Sequence, residues 1–439
     1  MLRYIKIALI AFIFSGLVPG FAQDHIDELY FRTIDMTSGL SDNSVNVVIQ
    51  DRSGLVWIGT KDGLNIYDGI SVNVIRSNSG NPSNDYINSL FEDSDGTIWI
   101  GTEHGVCTYD AALGCVLPFD VQSSNTGEPI TRAVKHICED SKTGNVLFSV
   151  NDQGFFSYDK ASDELAEHAL KCGSDLLAGQ FQTFWLEDKG THCRTWFAHY
   201  DDDLYFTDSL AEEKASRFVD GDGNAPFRGH LITCIGGGLH NTMLVGTSMG
   251  LYEVNLTTGI VVCLQSCYVN DFNVLPGGSI CICTEDGLLI LDSAEGSTQI
   301  VHSKHIRDKY SLSDNTISTI CRDMEGGVWL GTYSGGVSYY HEHNSLLKKV
   351  YPNENAPSMG NRVRRFCFGD DGIVWVGTED RGLFRYDSKS GSIEPFTHPD
   401  LYHNMKIPIA LILHTINFCL KSLARETGMV LQIPIEKIS

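Results

Sequence analysis

Between about Leu29 and Pro399 the chain alternates apolar and polar residues in short runs, each broken by a turn rich in Gly, Asp or Asn. Period-two alternation with turns at this density predicts strands joined by tight hairpins. One run recurs almost unchanged: Gly54-Leu-Val-Trp57-Ile-Gly59-Thr60, Gly96-Thr-Ile-Trp99-Ile-Gly101-Thr102, Gly327-Val-Trp329-Leu-Gly331-Thr332 and Gly372-Ile-Val-Trp375-Val-Gly377-Thr378. Each follows an acidic turn such as Asp51-Arg-Ser-Gly54 and precedes a Gly and then a Tyr, as in Gly63-Leu-Asn-Ile-Tyr67. In such a strand Val56, Ile58 and Thr60 face one side while Trp57 and Gly59 face the other, so the sheet can bury both faces. The Trp supplies packing area and an N–H that needs a partner. The Gly leaves room for another chain to approach, and the Asp closes its own turn.

Weaker copies fill the middle of the chain, at Leu147-Phe148-Ser149, Thr195-Trp196-Phe197-Ala198, Leu244-Val245-Gly246-Thr247 and Cys281-Ile-Cys283-Thr284. The Gly or its equivalent stands at 59, 101, 149, 198, 246, 283, 331 and 377, an average spacing of about 45 residues. That period matches a four-stranded propeller blade and exceeds ankyrin or tetratricopeptide units. The expected fold is an all-β propeller of four-stranded blades. Seven blades should occupy residues 29–343, and an eighth unit at 344–399 should begin a second, incomplete propeller; one eight-bladed ring is the alternative. Residues 400–439 lose the acidic turn and the Trp-x-Gly-Thr mark together. A truncated or frame-shifted gene is the expected cause.

Composition narrows the partners. The 55 acidic against 32 basic residues give a net charge of −23, which argues against nucleic acid, whose phosphates need clustered Lys and Arg. No basic run suits an anionic lipid surface. Residues 1–22 combine Arg3 and Lys6, an apolar stretch from Ile7 to Val18, and small residues at Gly20 and Ala22. This reads as a secretory signal peptide cut after Ala22, delivering the chain to the periplasm with no membrane span left. The Cys number of 13 is odd and their spacings do not repeat, so mostly buried free thiols are expected, and no zinc site. No cofactor is implied.

The segment Gly39-Leu-Ser-Asp-Asn-Ser-Val45 leading into Gln50-Asp51-Arg-Ser-Gly54-Leu-Val-Trp57-Ile-Gly-Thr60-Lys-Asp-Gly63 resembles the two-component regulator propeller repeat, and the resemblance recurs around Ser311 to Tyr340. It implies the periplasmic sensor region of a hybrid two-component system of Bacteroidetes, with an oligosaccharide as ligand. It also implies signalling by a ligand-driven shift within a homodimer. In that family two seven-bladed propellers precede an immunoglobulin-like domain, a membrane span, a histidine kinase and a receiver. This sequence has eight units and none of the kinase motifs, so it is not expected to be an enzyme.

Catalytic and metal motifs fail on inspection. There is no Gly-x-Ser-x-Gly, His-Glu-x-x-His or phosphate loop, and Gly236-Gly237-Gly238 reads as a turn between strands. Asp220-Gly-Asp222-Gly-Asn224 imitates a calcium loop, but Ala225 and Leu231 stand where Gly and Glu are needed. Glu379-Asp380 reads as surface charge rather than a glycosidase pair. What varies between copies is the loop joining the second strand to the third. On one face of a repeat scaffold, variation marks a recognition surface. Lys61, Glu103, His104, Tyr333, Glu379 and Arg381 are therefore the candidate ligand-binding residues. The alternatives to a sensor are a freestanding secreted binding propeller and, less favoured, a propeller polysaccharide lyase.

Amino-terminal sequencing of protein recovered from the periplasm checks the export reading: the chain should begin at Gln23, and a retained Met1 would refute it.

Overall fold

The computed structural model describes residues 29–76, 85–177, 179, 181–199, 203–292, 299–305, 308, 310–341, 362–369, 372–379 and 381–396. The segment expected to be a signal peptide, residues 1–22, and the tail after residue 400 lie outside them. The chain divides into two compact units, Met1–Ser345 and Leu346–Ser439.

In the first unit the described strands form seven four-stranded antiparallel sheets and one small two-stranded hairpin, Lys171–Cys172 with Asp175–Leu176. Each of the first six sheets is a meander in chain order, as in Val45–Gln50, Val56–Thr60, Gly63–Tyr67 and Val72–Ile75. The first strands of the others begin at Ile87, Val134, Phe181, Ile232, Val269 and Ile317. Each first strand touches those of the sheets before and after it, and that of the seventh sheet returns to Val45–Gln50. They therefore surround a common axis and line a central channel.

The seventh sheet takes its three inner strands from Ile317–Arg322, Val328–Thr332 and Val337–Tyr340, but its outer strand is Arg32–Ile34. Arg32 pairs with Tyr339 and Ile34 with Val337, so the start of the domain closes the ring. Phe31 and Ile34 are buried in the process.

Packing follows the alternation. Val56 and Ile58 share a cluster with Trp329 and Val337 of the seventh sheet, whereas Trp57 packs with Ile87, Leu90 and Ile98 of the second. Each remaining junction between neighbouring sheets holds a comparable apolar cluster. Gly331 shows why the strong copies keep Gly at this place: a Cβ there would lie 2.7 Å from Val45 Cγ1 in the next sheet.

The acidic turn and the Trp prove to be one device. Asp51 Oδ1 accepts the N–H groups of Ser53 and Leu55, each at 2.9 Å, and its Oδ2 accepts Trp57 Nε1–H at 2.7 Å. Asp93 holds Trp99 at 2.9 Å and Asp323 holds Trp329 at 3.0 Å in the same way. In the fourth sheet Glu187 substitutes, accepting Trp196 Nε1–H at 2.9 Å. The same turns also tie sheets together. Met324 N–H donates to Gln50 Oε1 (2.8 Å), Arg52 N–H to Glu92 (2.9 Å) and Ser94 N–H to Glu139 (2.7 Å).

The second unit contains one described four-stranded sheet, Val363–Phe368, Ile373–Thr378, Leu383–Asp387 and Ile393–Pro395. No described helix is long and apolar enough to cross a membrane.

Trp57→Phe keeps most of the apolar contact but strips the buried Asp51 Oδ2 of its donor. Urea denaturation should show a loss of about 1–3 kcal/mol, and an unchanged midpoint would show that the clasp contributes nothing.

Candidate functional site

The second-to-third hairpins and the starts of the first strands meet at one end of the channel. Lys61 N–H donates to Ser44 O, Glu103 N–H to Tyr86 O and Tyr333 N–H to Thr316 O, at 3.0–3.2 Å. Five of the seven hairpins are pinned by the repeated Thr: Thr60 Oγ1 donates to Gly63 O at 2.9 Å, and Thr102, Thr247, Thr284 and Thr332 repeat the bond. The loop side chains are thus free to vary on a fixed backbone.

The six expected ligand residues fall into separate groups. Lys61 Nζ sits 4.1 Å from the centre of the Tyr333 ring, within cation–π range, and Ser44 Oγ donates to Tyr333 O at 2.6 Å. This pair spans the ring-closing junction, with Tyr333 58% exposed. Glu103 lies one sheet away and accepts from Asn88 Nδ2 at 3.2 Å and Lys135 Nζ at 3.5 Å. His104 is exposed, its backbone N–H held by Thr102 Oγ1. Glu379 and Arg381 belong to the second unit. There Glu379 pairs with Arg364 at 2.6 Å and Arg362 at 3.8 Å, while Arg381 N–H donates to Thr378 Oγ1 at 3.2 Å.

Sequence reasoning confined to loops missed the channel wall. Every first strand carries a β-bulge after its first residue, and the residue at the bulge is polar: Asn46, Asn88, Lys135, Gln182, Thr233, Asn270 and Ser318, with Arg364 in the second unit. The pattern was findable. In six of the eight copies this residue stands fourteen positions before the repeated Thr. One step further on, two titratable side chains reach across to the next sheet. Asp271 accepts from Thr319 Oγ1 (3.2 Å) and Ile320 N–H (3.0 Å). His136 Nδ1 lies 3.4 Å from both Thr183 Oγ1 and Phe184 N. Burial lowers the His136 ring to about 4, which leaves it a neutral acceptor. Asp271 keeps some exposure toward the channel, yet its packing between two sheets outweighs its hydrogen bonds and pushes its carboxyl up to about 6.

Other candidates resolve as structure. Asp220 Oδ1 accepts the N–H groups of Asn224 (2.8 Å) and Asp222 (3.0 Å) and closes a turn. Gly236 and Gly237 end a strand, Ile232–Gly237, rather than forming the expected turn, and Gly238 alone is in the turn. Among the described residues eleven cysteines are free and Cys367 is disulfide-bonded. Burial pushes the Cys281 thiol up to about 12 and that of Cys321 to about 11, so neither is a ready nucleophile. Among the described residues no cluster of His, Cys, Asp and Glu could hold a metal.

The family model for the two-component regulator propeller matches residues 39–62, 81–104 and 311–334, which fall on the first, second and seventh sheets. These are two-component regulator propeller repeats. Histidine kinase P4 of Formosa agariphila is 42% identical over 48 residues, 11% of this chain and 4% of that protein. Among solved structures, the extracellular domain of a hybrid two-component system of B. thetaiotaomicron matches with a TM-score of 0.64 and 22% identity, over 84% of this chain and 49% of that one. PorZ, a surface component of the type-IX secretion system of Porphyromonas gingivalis, matches with a TM-score of 0.53 and 16% identity, over 82% of this chain and 59% of its own. The structural likenesses show the propeller fold. The chain spans about half the length of the sensor domain it resembles and a small part of the kinase. The regulator propeller repeats place their variable loops and bulge residues at one end of the channel.

Asp271 supplies a pH test. Its folded value lies above its usual 3.8, so between about pH 4 and 6 the folded state holds the extra proton and stability falls as pH rises. Asp271→Asn should remove that fall and gain on the wild type above pH 6. Urea titrations across this range decide it, and parallel curves for the two proteins would refute the assignment.

Proposed function

We propose that this chain is an exported sensor propeller of a two-component system and that it binds an oligosaccharide at the channel mouth. The observation that carries the reading is the regulator propeller repeat itself, placed on a scaffold whose variable loops gather at one end around a half-exposed aromatic ring. Tyr333 offers the apolar platform that sugar C–H faces stack on, and Lys61 and Glu103 offer a donor and an acceptor. An acidic chain with no basic stripe disfavours nucleic acid as the alternative ligand. The carboxylates that gather among the described residues, Asp93, Asp95 and Glu139, do so around the Lys160 ammonium, which leaves them an ion-pair cluster rather than the paired acid and base of glycoside cleavage. Binding without turnover is the chemistry these residues support. Signal output then requires a kinase in the same or a neighbouring polypeptide and a shift between two arrangements of the sensor, in line with dimeric signalling.

The test is calorimetric titration of the exported chain with short plant and host oligosaccharides. At least one should bind without being cleaved, and Tyr333→Ala should weaken it about tenfold, the loss of roughly 1.4 kcal/mol of stacking. Cleavage of the sugar would favour a lyase instead, and binding without any dependent kinase activity would favour a freestanding binding propeller.

A further inference from the structure

Near-identical copies of one scaffold make departures from the pattern visible. Around the channel mouth, at five of the seven junctions, a side chain at or beside the bulge links one first strand to the first residue of the next. Asn46 Nδ2 donates to Ile87 O at 2.8 Å, Ser89 Oγ to Val134 O at 3.3 Å, Thr233 Oγ1 to Val269 O at 2.6 Å, Asn270 Nδ2 to Ile317 O at 2.8 Å and Ser318 Oγ to Val45 O at 2.5 Å. This belt is scaffold, since the same bond recurs with different side chains.

It is interrupted at two adjacent junctions. From the third sheet to the fourth the bulge residue is Lys135, which turns instead to Glu103 of the second sheet. From the fourth to the fifth it is Gln182, whose amide makes no hydrogen bond to the described residues although it is partly exposed. The third sheet also breaks the Gly-Thr rule, with Ser149-Val150 in its place, and the buried Ser149 hydroxyl has no partner among the described residues. Three departures from the repeat thus coincide on one arc.

We infer that Asn88, Glu103, Lys135 and Gln182 form the subsite that selects the ligand, and that it takes an uncharged, hydroxyl-rich sugar rather than an acidic one. The inference rests on the carbohydrate reading above and adds its place and charge. Lys135 Nζ and Glu103 Oε1 lie 3.5 Å apart with side chains 31% and 37% exposed, a loose contact that a ligand can enter. A sugar hydroxyl donates and accepts at once, so one hydroxyl or a neighbouring pair satisfies both groups without leaving a net charge. The amides of Asn88 and Gln182 extend the same mixed donor and acceptor pattern to either side. A uronate or sulfate would meet Lys135 favourably but would stand beside the Glu103 carboxylate, on a chain of net charge −23. Like-charge juxtaposition of that kind rejects a competitor.

The exported chain is titrated with short xylo-, manno- and galacto-oligosaccharides and, separately, with oligogalacturonides. A neutral oligosaccharide should bind, and Lys135→Met and Gln182→Ala should each weaken it about tenfold or more. Asn270→Ala, which breaks a belt bond on the opposite arc, should leave affinity within about twofold. Gln182→Ala removes no hydrogen bond among the described residues and serves as the folding-neutral variant. If Tyr333→Ala abolishes binding while both arc variants leave it unchanged, the subsite is wrong and the carbohydrate reading stands. If oligogalacturonides bind more tightly and lose that affinity in Lys135→Met, the preference for a neutral ligand is overturned. If no oligosaccharide binds, the carbohydrate reading falls and the subsite falls with it.

Discussion

A sheet that is apolar on both faces has to be covered twice, and this requirement governs the molecule. The second strands Val56–Thr60, Ile98–Thr102, Val146–Val150, Ile280–Thr284 and Val328–Thr332 are buried along their whole length. No single sheet of this kind can be stable in water, and a stack of them leaves two bare faces at its ends. Closing the stack on itself removes both. The last sheet obtains its outer strand from Arg32–Ile34, so the closing contact joins residues far apart in the chain. Loop-closure entropy rises only slowly with chain length, which makes such a distant pairing affordable, though slow to form.

The second constraint is local. A buried indole N–H needs an acceptor, and a tight turn needs its backbone N–H groups satisfied; one carboxylate does both. This explains why the acidic turn and the Trp travel together through the repeat. The fifth and sixth sheets turn through Gly238-Leu239-His240-Asn241 and Pro276-Gly277-Gly278, without a carboxylate, and hold Leu244 and Cys281 where four of the other five hold Trp; the third holds Leu147 there and keeps Asp140 only to close its turn. Replacing either half of the pair alone would leave a buried polar group unpaired. The fourth sheet shows another solution, in which Glu187 reaches the Trp from outside the turn.

This sets what could be read from the residues alone. The period, the second strands and the two-sided burial were legible because they repeat, and repetition averages away local noise. The closing strand was not. Three residues with the pattern Arg32-Thr33-Ile34 carry no signal of their own, and their role depends on Tyr339, Ser338 and Val337 far along the chain. The bond from Met324 to Gln50 was hidden for the same reason, since only ring closure brings the two together, and that from Ser94 to Glu139 because it depends on how consecutive sheets pack. Lys61 and Tyr333 were legible as variable loop residues, yet their stacking across the seventh and first sheets is again a product of closure. Lys135 was overlooked because it sits in a strand, where a polar residue ordinarily reads as solvent-facing.

The channel wall shows how a pseudo-symmetric scaffold can still be specific. His136 and Asp271 occupy corresponding places, one residue past the bulge, and each accepts from the backbone N–H of the next sheet. Burial drives both toward their uncharged forms, downward for the imidazole and upward for the carboxyl. The wall thus selects against charge wherever a side chain is spent on holding two sheets together. Lys135 and Glu103 escape that selection because they sit at the mouth, where both side chains keep about a third of their surface in solvent. A ligand approaching along the axis meets belt bonds that are already satisfied on most of the circumference and offer it nothing. Only an arc whose polar groups are not consumed by the scaffold can exchange water for ligand, so recognition has to gather where the repeat is broken.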